Sequence, residues 1–291
     1  MVLYLPGAGK RKVDGVSLHL HPDIRSATNS YLAAADRLLP GAITAAAIGG
    51  SVALSAYRPG SSDIDIVAAI SDQWRERPDL IRRLRLLHLS QLPRLAGRTL
   101  SGKGASACCN TSFLWDSELS LPVTSIRPIA AHTGEQFTDR AAFDVNPVIW
   151  HQLTTGGIVL RGGDIETWGL NPEPEKLKPW TRKNLLQYWK PLMEKTRGST
   201  LPIRPSQVEW RLLGPARMHA TLQSGEVISK LVATQHALNQ FPEHAPIIRV
   251  AQAQLTGERR AKAPPRRHWR SLTVDCMAAI INDATEIPSD K

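Results

Sequence analysis

The sequence predicts an α+β fold, in which a small mixed-sheet domain over residues 1–135 is followed by an α-helical bundle domain over residues 136–291. Two observations lead to this prediction. The first half holds short apolar segments that alternate with polar residues or end in glycine turns, as buried strands do. The second half holds long segments with apolar residues at helical spacing. A chain of 291 residues that is 42% hydrophobic can bury a core in each half.

Helices and strands alternate in the first half. A helix is predicted from Asp23 to Leu39, because apolar residues recur every three or four positions and Pro40-Gly41 ends the pattern. The following apolar run ends in Gly-Gly-Ser and predicts a buried strand. After it come a strand with one apolar and one acidic face, a basic amphipathic helix and a further strand. These four elements are predicted at 43–48, 63–70, 78–95 and 106–115.

The second half is predicted to be almost entirely helical. Apolar residues at three- and four-residue spacing define each helix, and glycine or proline separates one helix from the next. A short extended piece is predicted at 158–161, and the helices at 145–155, 181–195, 206–223, 227–239, 245–255 and 268–283.

The composition limits the partners and the location. Lys and Arg outnumber Asp and Glu by 36 to 26, a net charge of +10, which attracts polyanions such as nucleoside triphosphates, phosphorylated acceptors or RNA. No apolar run reaches the roughly 18 residues that a membrane span needs, and the N-terminus does not have the charge order of a secretory signal. The three cysteines lack the spacing of a disulfide framework. We therefore expect a cytoplasmic protein without membrane contact.

The residues that carry chemistry lie at the first two predicted strands. A Gly-Gly-Ser turn, which ends with Gly50 and Ser51, closes the first strand, and Asp63 and Asp65 open the second after a turn that ends at Ser62. Aspartates two residues apart on a strand face the same side, about 6.5–7 Å from each other. Their carboxylates can bind Mg²⁺, which prefers oxygen ligands and completes its shell with the phosphates of an NTP. The glycine and the serine hydroxyls are expected to contact those phosphates.

This order of Gly-Ser, a spacer and Asp-x-Asp resembles the signature of the DNA polymerase β-like nucleotidyltransferase superfamily. The longer arrangement is similar to the aminoglycoside adenylyltransferases of the streptomycin and spectinomycin type, in which a helical domain follows and closes the substrate cleft. The further segments that carry this likeness are 143–151, 159–162, 212–219 and 224–230. The resemblance implies ATP as substrate, Mg²⁺ as cofactor, and Asp63 and Asp65 as catalytic metal ligands. It also implies that Lys230 reaches the nucleotide phosphates from the helical domain.

The chain departs from the family pattern at one position. Active members usually carry a third carboxylate on a neighbouring strand, and in the adenylyltransferases this is a glutamate that takes the proton from the acceptor hydroxyl. The family pattern places Asn110 at that position. Because an amide cannot accept the proton, general-base help of about 10²–10⁴-fold should be missing there. Asn110 is therefore a catalytic-site candidate with altered chemistry.

The leading hypothesis is a transferase that moves AMP from ATP, by Mg²⁺-dependent in-line displacement, to a hydroxyl of a small molecule such as an aminoglycoside, with antibiotic resistance as the outcome. Two alternatives stay open. Asn110 favours a catalytically weakened, ATP-binding regulatory protein. The positive charge and the basic segment 258–270 favour a nucleotidyltransferase that acts on RNA or on a protein, and the same charge opposes binding of a polycationic aminoglycoside.

Overall fold

A computed structural model describes residues 20–100, 108–258 and 263–288 of the chain. The N-terminal 19 residues, the first two residues of the strand predicted at 106–115, and residues 259–262 of the basic segment lie outside the described residues. Within the described residues, one sheet has the order β5-β4-β3-β2-β1-β6. Its strands are β1 (Ile43–Ile48), β2 (Ile64–Ile70), β3 (Cys109–Trp115), β4 (Ala130–Thr133), β5 (Gln136–Asp139) and β6 (Ile158–Arg161).

The sheet is mixed, as the sequence predicts. β2 and β3 are parallel, whereas the other neighbouring strands pair antiparallel. The parallel register places Asp65 directly opposite Asn110. Both residues stand near the start of their strands, so this end of the sheet collects polar side chains from two strands at once.

Alternation along β2 separates two apolar clusters. Its isoleucines Ile64, Ile66 and Ile70 belong to a core with the first and third helices, while Val67 and Ala69 belong to a core on the other face. Asp65 alternates with the isoleucines and therefore lies on the second face. The strand predicted at 63–70 is thus confirmed, together with its division into an apolar and an acidic side.

Five helices accompany the sheet: α1 (Pro22–Leu38), α2 (Gly50–Ala53), α3 (Leu80–Ser90), α4 (Leu92–Leu100) and α5 (Pro147–Gly156). The single helix predicted at 78–95 is wrong, because the chain breaks at Gln91. Pro93 has no backbone N–H to continue the hydrogen-bond ladder of α3. The side chain of Gln91 instead accepts from Cys109 N at 3.0 Å and donates to Cys109 O at 3.2 Å. These two hydrogen bonds therefore link the junction of α3 and α4 to the start of β3.

Within the described residues, the chain after β6 is mostly helical, and its apolar faces meet in a third core around Leu212, Leu213 and Ile280. The helix predicted at 181–195 is wrong in detail, since a π-helical segment, Leu185–Trp189, separates two α-helices there. The helices are α6 (Pro174–Asn184), α7 (Lys190–Arg197), α8 (Pro205–Ser224), α9 (Lys230–Gln240), α10 (Ala245–Thr256) and α11 (Trp269–Glu286). None of the described helices is long and apolar enough to cross a membrane.

The sheet continues beyond the boundary expected at residues 135 and 136. The hairpin of β4 and β5 straddles that boundary, and β6 returns after α5 to pair with β1. Neither β4 nor β5 was expected, because four-residue strands leave too little alternation to recognise. We propose that the sheet domain extends through β6 and that the helical domain begins at α6.

Candidate functional site

Asp63 and Asp65 lie where β2 begins, and the charges of Lys230 and Arg217 from the helical domain act on them. We call this meeting of the two domains around the aspartates the cleft. Asp63 is exposed and Asp65 is half-buried. The backbone N–H of Gly49 donates to Asp65 O at 2.8 Å and joins the end of β1 to the start of β2. The Gly-Gly-Ser turn and the Asp-x-Asp pair, which are separate in sequence, therefore form one structural unit.

Gly50 makes the close approach of the two motifs possible. Its φ is +57°, a left-handed conformation that glycine adopts without the cost a side chain would add. A Cβ at this position would meet Asp65 Oδ2 at 2.0 Å. The N–H of Gly50 donates to Gln152 Oε1 at 2.9 Å, so it is engaged by α5. Gly50 therefore leaves the space that the Asp65 carboxylate occupies. Ser51 is half-buried in the turn of α2. The phosphate contacts expected for both residues stay predictions.

Ser62 lies in the turn that directly precedes Asp63 and β2. Its Oγ accepts from Arg58 N at 3.1 Å, and its own N–H donates to Arg58 O at 2.9 Å. Both hydrogen bonds close the loop before Asp63. The expected phosphate contact of Ser62 stays a prediction, whereas its part in forming the turn is visible in the structure.

Asn110 is buried and bridges two neighbouring segments. Its Nδ2 donates to Asp65 Oδ1 at 3.2 Å, and its Oδ1 accepts from Gly134 N at 2.8 Å. The amide uses its donor on the carboxylate and its acceptor on the turn between β4 and β5. Asn110 therefore orients Asp65 and is not available to take a proton.

The pKa values of both aspartates are raised. Desolvation by the surrounding protein, followed by repulsion from Asp65, raises the pKa of Asp63 to about 6. Burial also raises the pKa of Asp65, against the opposing effects of Asn110 and Arg217. Two carboxylates that both resist ionisation lie in a site that a cation would stabilise.

A third carboxylate that sequence reasoning missed lies near this pair. Asp144 precedes α5, and burial followed by repulsion from Asp65 raises its pKa to about 7. The sequence placed Asp144 only within a family-like stretch, without a role. Its proximity to Asp65 depends on how α5 packs over the sheet, so no local signal in the sequence could have identified it.

The helical domain contributes an ion-pair network with Lys230 in it. Lys230 Nζ lies 2.9 Å from Glu209 Oε1, and Arg58 Nη2 lies 3.3 Å from the same oxygen. Arg58 comes from the sheet domain and also donates to Leu255 O of α10. The buried carboxylate of Glu209 therefore joins the two domains and holds Lys230 at the cleft, where its charge acts on Asp63.

Arg217 is a second cation that was not expected at the site. It lies on α8, and its Nε donates to Ile228 O at 2.9 Å. Burial lowers the pKa of Arg217, and the nearby Asp65 acts in the opposite direction. Carboxylates from the sheet domain and cations from the helical domain thus face each other across the cleft, an arrangement suited to a phosphate-bound cation.

The site is not a complete metal cage on its own. Within the parts of the chain that the structure describes, no group of three or more His, Cys, Asp or Glu side chains is placed to hold a metal ion. Asp63 and Asp65 can supply two oxygen ligands. A Mg²⁺ ion bound through one or two carboxylates normally completes its shell with substrate phosphates and water.

Comparisons with known proteins bear on the resemblance and on the fold. Residues 184–279 match the family described as "Aminoglycoside adenylyltransferase, C-terminal domain". Among solved structures, the chain is similar to spectinomycin adenyltransferase AAD(9) from Enterococcus faecialis, crystallised with ATP and spectinomycin. That match has 15% sequence identity and a TM-score of 0.63, and it covers 90% of this chain and 99% of that chain. No curated protein sequence matches the chain significantly. The findings confirm the predicted resemblance and the α+β fold with a helical C-terminal part.

Proposed function

We propose that this protein is an adenylyltransferase that moves AMP from ATP to a hydroxyl group of a small molecule. The observation that carries the proposal is the cleft in which Asp63 and Asp65 face Arg217 and Lys230. The C-terminal family match and the fold shared with an adenyltransferase crystallised with ATP support it. A cytoplasmic location, where ATP is available, belongs to the same proposal.

The two aspartates fit Mg²⁺. Their donor atoms are carboxylate oxygens, and burial followed by repulsion from Asp65 raises the pKa of Asp63, so a bound cation would favour the ionised form. When bound between them, the cation would neutralise phosphate charge and align the attacking and leaving oxygens. Asn110 keeps Asp65 in position for this role through its 3.2 Å hydrogen bond.

Lys230 and Arg217 are proposed to bind the triphosphate from the helical side. Lys230 Nζ lies 2.9 Å from Glu209 Oε1. A phosphate oxygen that binds Lys230 would therefore compete with the Glu209 carboxylate. Ser51 and Ser62 would contribute hydroxyls from the sheet side. Binding from both domains would close the cleft over the nucleotide, as expected for a ligand site at a domain interface.

The transfer step needs a proton acceptor, and Asp144 is proposed for that role. The acceptor oxygen attacks the α-phosphorus of ATP, the bond from that phosphorus to the bridging oxygen breaks, and pyrophosphate leaves. The hydroxyl proton passes to the Asp144 carboxylate, whose pKa of about 7 suits a base that works near neutral pH. Asp144 would thus replace the glutamate that is absent at position 110.

The acceptor class suggested by the comparisons is an aminoglycoside or a related antibiotic, because the similar AAD(9) structure contains spectinomycin. Adenylylation of such a compound would alter its hydroxyl and produce antibiotic resistance. The proposed acceptor is therefore a small molecule that carries a hydroxyl group.

The test combines nucleotide binding with transfer. Calorimetry with ATP and Mg²⁺ should show metal-dependent binding to the wild type and at least about tenfold weaker binding to Asp63→Ala. Transfer of α-labelled ATP to an antibiotic panel should be lost in the same variant. Asp116→Ala is the matched control, because Asp116 is an exposed acid directly after β3, at the end opposite Asn110. Equal binding and transfer by Asp63→Ala and the wild type would refute the proposal.

A second candidate function is a regulatory protein that binds ATP without transferring it. The amide at Asn110, with its hydrogen bonds to Asp65 and Gly134, is the observation that favours it. Metal-dependent ATP binding without labelling of any acceptor, together with activity gained by Asn110→Glu, would support this candidate. Rapid turnover by the wild type would exclude it.

A further inference from the structure

Five aromatic side chains form a continuous cluster beside the cleft, which we call the aromatic face. Four of them are exposed or partly exposed, Phe143, Trp180, Tyr188 and Trp210, and the fifth, Trp189, is buried against Tyr188 and Trp210. Neighbouring ring centroids lie 5.1 to 6.3 Å apart. Phe143 is 61% exposed, Tyr188 41% and Trp210 39%. Because contiguous apolar surface is rarely left open on a protein, this exposure indicates a binding surface.

The aromatic face is held rigidly from beneath. The buried Trp189 packs on Gly214 of α8, where a Cβ would meet the indole ring at 2.1 Å. Tyr188 and Trp189 lie in the π-helical segment Leu185–Trp189, and such segments occur frequently at functional sites. In the other domain, Asn146 Nδ2 donates to Phe143 O at 2.6 Å. These contacts hold the Trp189 ring and the backbone of Phe143 in place.

The aromatic face is continuous with the proposed active site. Trp210, Gly214 and Arg217 follow one another at i, i+4 and i+7, which places them along one stripe of α8. The Arg217 end of that stripe interacts with Asp65. On the sheet side, Phe143 directly precedes Asp144, whose carboxylate also interacts with Asp65. A molecule that lies on the aromatic face thus extends toward the reacting groups.

The charge beside the aromatic face disfavours a polycation. The guanidinium of Arg211 lies 5.8 Å from the Trp210 ring centroid, and its Nε donates to Thr196 Oγ1 at 3.0 Å. The acid next to Trp210 is Glu209, which already pairs with two cations of the cleft. Beside Trp210, an acceptor with several ammonium groups would meet Arg211 and not an unpaired carboxylate. The carboxylate of Asp144 lies beyond Phe143, at the end of the face toward Asp65.

We propose that the aromatic face is the acceptor subsite and that it selects a hydroxyl-bearing compound with a flat aromatic ring system over a polycationic sugar. Stacking on Tyr188 and Trp210 would orient the ring, and its hydroxyl would point along α8 toward Asp65. This inference rests on the proposed function and names the substrate class of the same site.

The test measures acceptor binding and transfer separately. Ligand-observed NMR without nucleotide would compare uncharged hydroxylated aromatics (7-hydroxycoumarin, quercetin and resveratrol) with streptomycin, kanamycin and spectinomycin. The aromatic compounds should bind, and Trp210→Ala and Tyr188→Ala should each raise their Kd about tenfold. Leu121→Ala is the matched control, since Leu121 is also 39% exposed but follows the far end of β3.

Label transfer from α-labelled ATP supplies the second readout. The aromatic compounds should accept label, and Trp210→Ala should raise their KM while the Kd of MgATP stays within about twofold of the wild-type value. A rise in the MgATP Kd instead would mean that adenine occupies the aromatic face and would overturn the proposal. So would binding of the aminoglycosides alone, or a panel in which no aromatic compound binds.

Failure of the proposed function is distinguishable from failure of this inference. If Asp63→Ala changes neither MgATP binding nor transfer, the adenylyltransferase proposal fails, while the nucleotide-free binding measurement still reports on the aromatic face. Melting temperatures of the variants and the wild type would verify that each protein is folded. A folded Trp210→Ala protein with unchanged acceptor Kd and KM would refute the subsite.

Discussion

The two faces of the sheet differ in how they accommodate buried polar groups. On the face covered by α1 and α3, His132 bonds Tyr31 at 2.7 Å and Gln91 at 3.2 Å, and burial followed by the neighbouring His88 lowers the pKa of His132 to about 3. On the cleft face, burial raises the pKa of Asp65, while the Asn110 hydrogen bond and the charge of Arg217 act in the opposite direction. His132 is neutral on the closed face because of its low pKa, whereas Asp65 on the cleft face lies near the cations Arg217 and Lys230.

The difference shows how one sheet can serve packing and chemistry together. A closed face excludes charge, because an ionised group there would lose water without gaining a counter-ion. The cleft face instead faces cations from a second domain, namely Arg217 and Lys230. Polar groups of the cleft face should therefore matter for activity, and those of the closed face for stability.

Substitution at Gly50 should disturb the cleft face most. Gly50→Ala places a methyl group at 2.0 Å from Asp65 Oδ2 in a left-handed backbone, so transfer should fall by about 10²–10³-fold. Gly41→Ala is the matched control, since Gly41 has φ +69° and nothing within 4 Å of the added Cβ. Gly41→Ala should lose about 1 kcal/mol of unfolding free energy for its left-handed backbone, and Gly50→Ala should lose more because of the overlap with Asp65. Equal transfer activity of Gly50→Ala and Gly41→Ala would show that Gly50 does not contribute to the site.

Removal of the third carboxylate should have the next largest effect. Asp144→Asn is expected to lower kcat by about 10²-fold, because the proposed proton acceptor is lost. The pKa of Asp144 is raised to about 7, so wild-type kcat should rise with pH through that value as the base deprotonates, and the variant should lose this rise. Asp139→Asn, at an exposed acid of β5, should leave the pH profile unchanged. If Asp144→Asn keeps the wild-type pH dependence of kcat, Asp144 is not the base.

On the closed face, the expected effect is on stability. The unfolded chain binds a proton at His132 near pH 6.5, whereas the folded chain does so only near its pKa of about 3. The free energy of unfolding is therefore unaffected by His132 protonation above about pH 6.5. As pH falls from there toward 3, it decreases by up to about 1.4 kcal/mol per pH unit. Denaturant unfolding of His132→Gln should show a weaker loss between pH 7.5 and 5 than the wild type. His268→Gln, at an exposed position, should follow the wild type.

The ion pair between the domains should have the smallest effect. Glu209→Gln releases Lys230 and removes a negative charge near the proposed phosphate position. Because Lys230 is partly exposed, the gain should be modest, with the Kd of MgATP lower by about two- to fivefold. Calorimetry at low and high salt would measure it. Weaker MgATP binding in Glu209→Gln would show that the pair positions Lys230 for the nucleotide.

Local patterns were sufficient for the strands that carry the site. β1 was predicted at its observed bounds, and the start of β2 was misplaced by one residue, because alternation and glycine turns are properties of neighbouring residues. The break at Gln91 was missed although Pro93 signals it, since the leucine pattern continues across it. The β4–β5 hairpin was missed because its strands are too short to show a period.

The amino-acid sequence by itself determined the Asp-x-Asp strand, the glycine turn before it and the change from mixed sheet to helices. Those features depend on backbone sterics and on the period of apolar residues within one element. Only the tertiary structure decided that Asp144 lies near Asp65, that Glu209 joins Arg58 to Lys230, and that five aromatic rings from two domains form one surface. Such contacts join residues far apart in the chain, and the packing of whole helices against the sheet sets them.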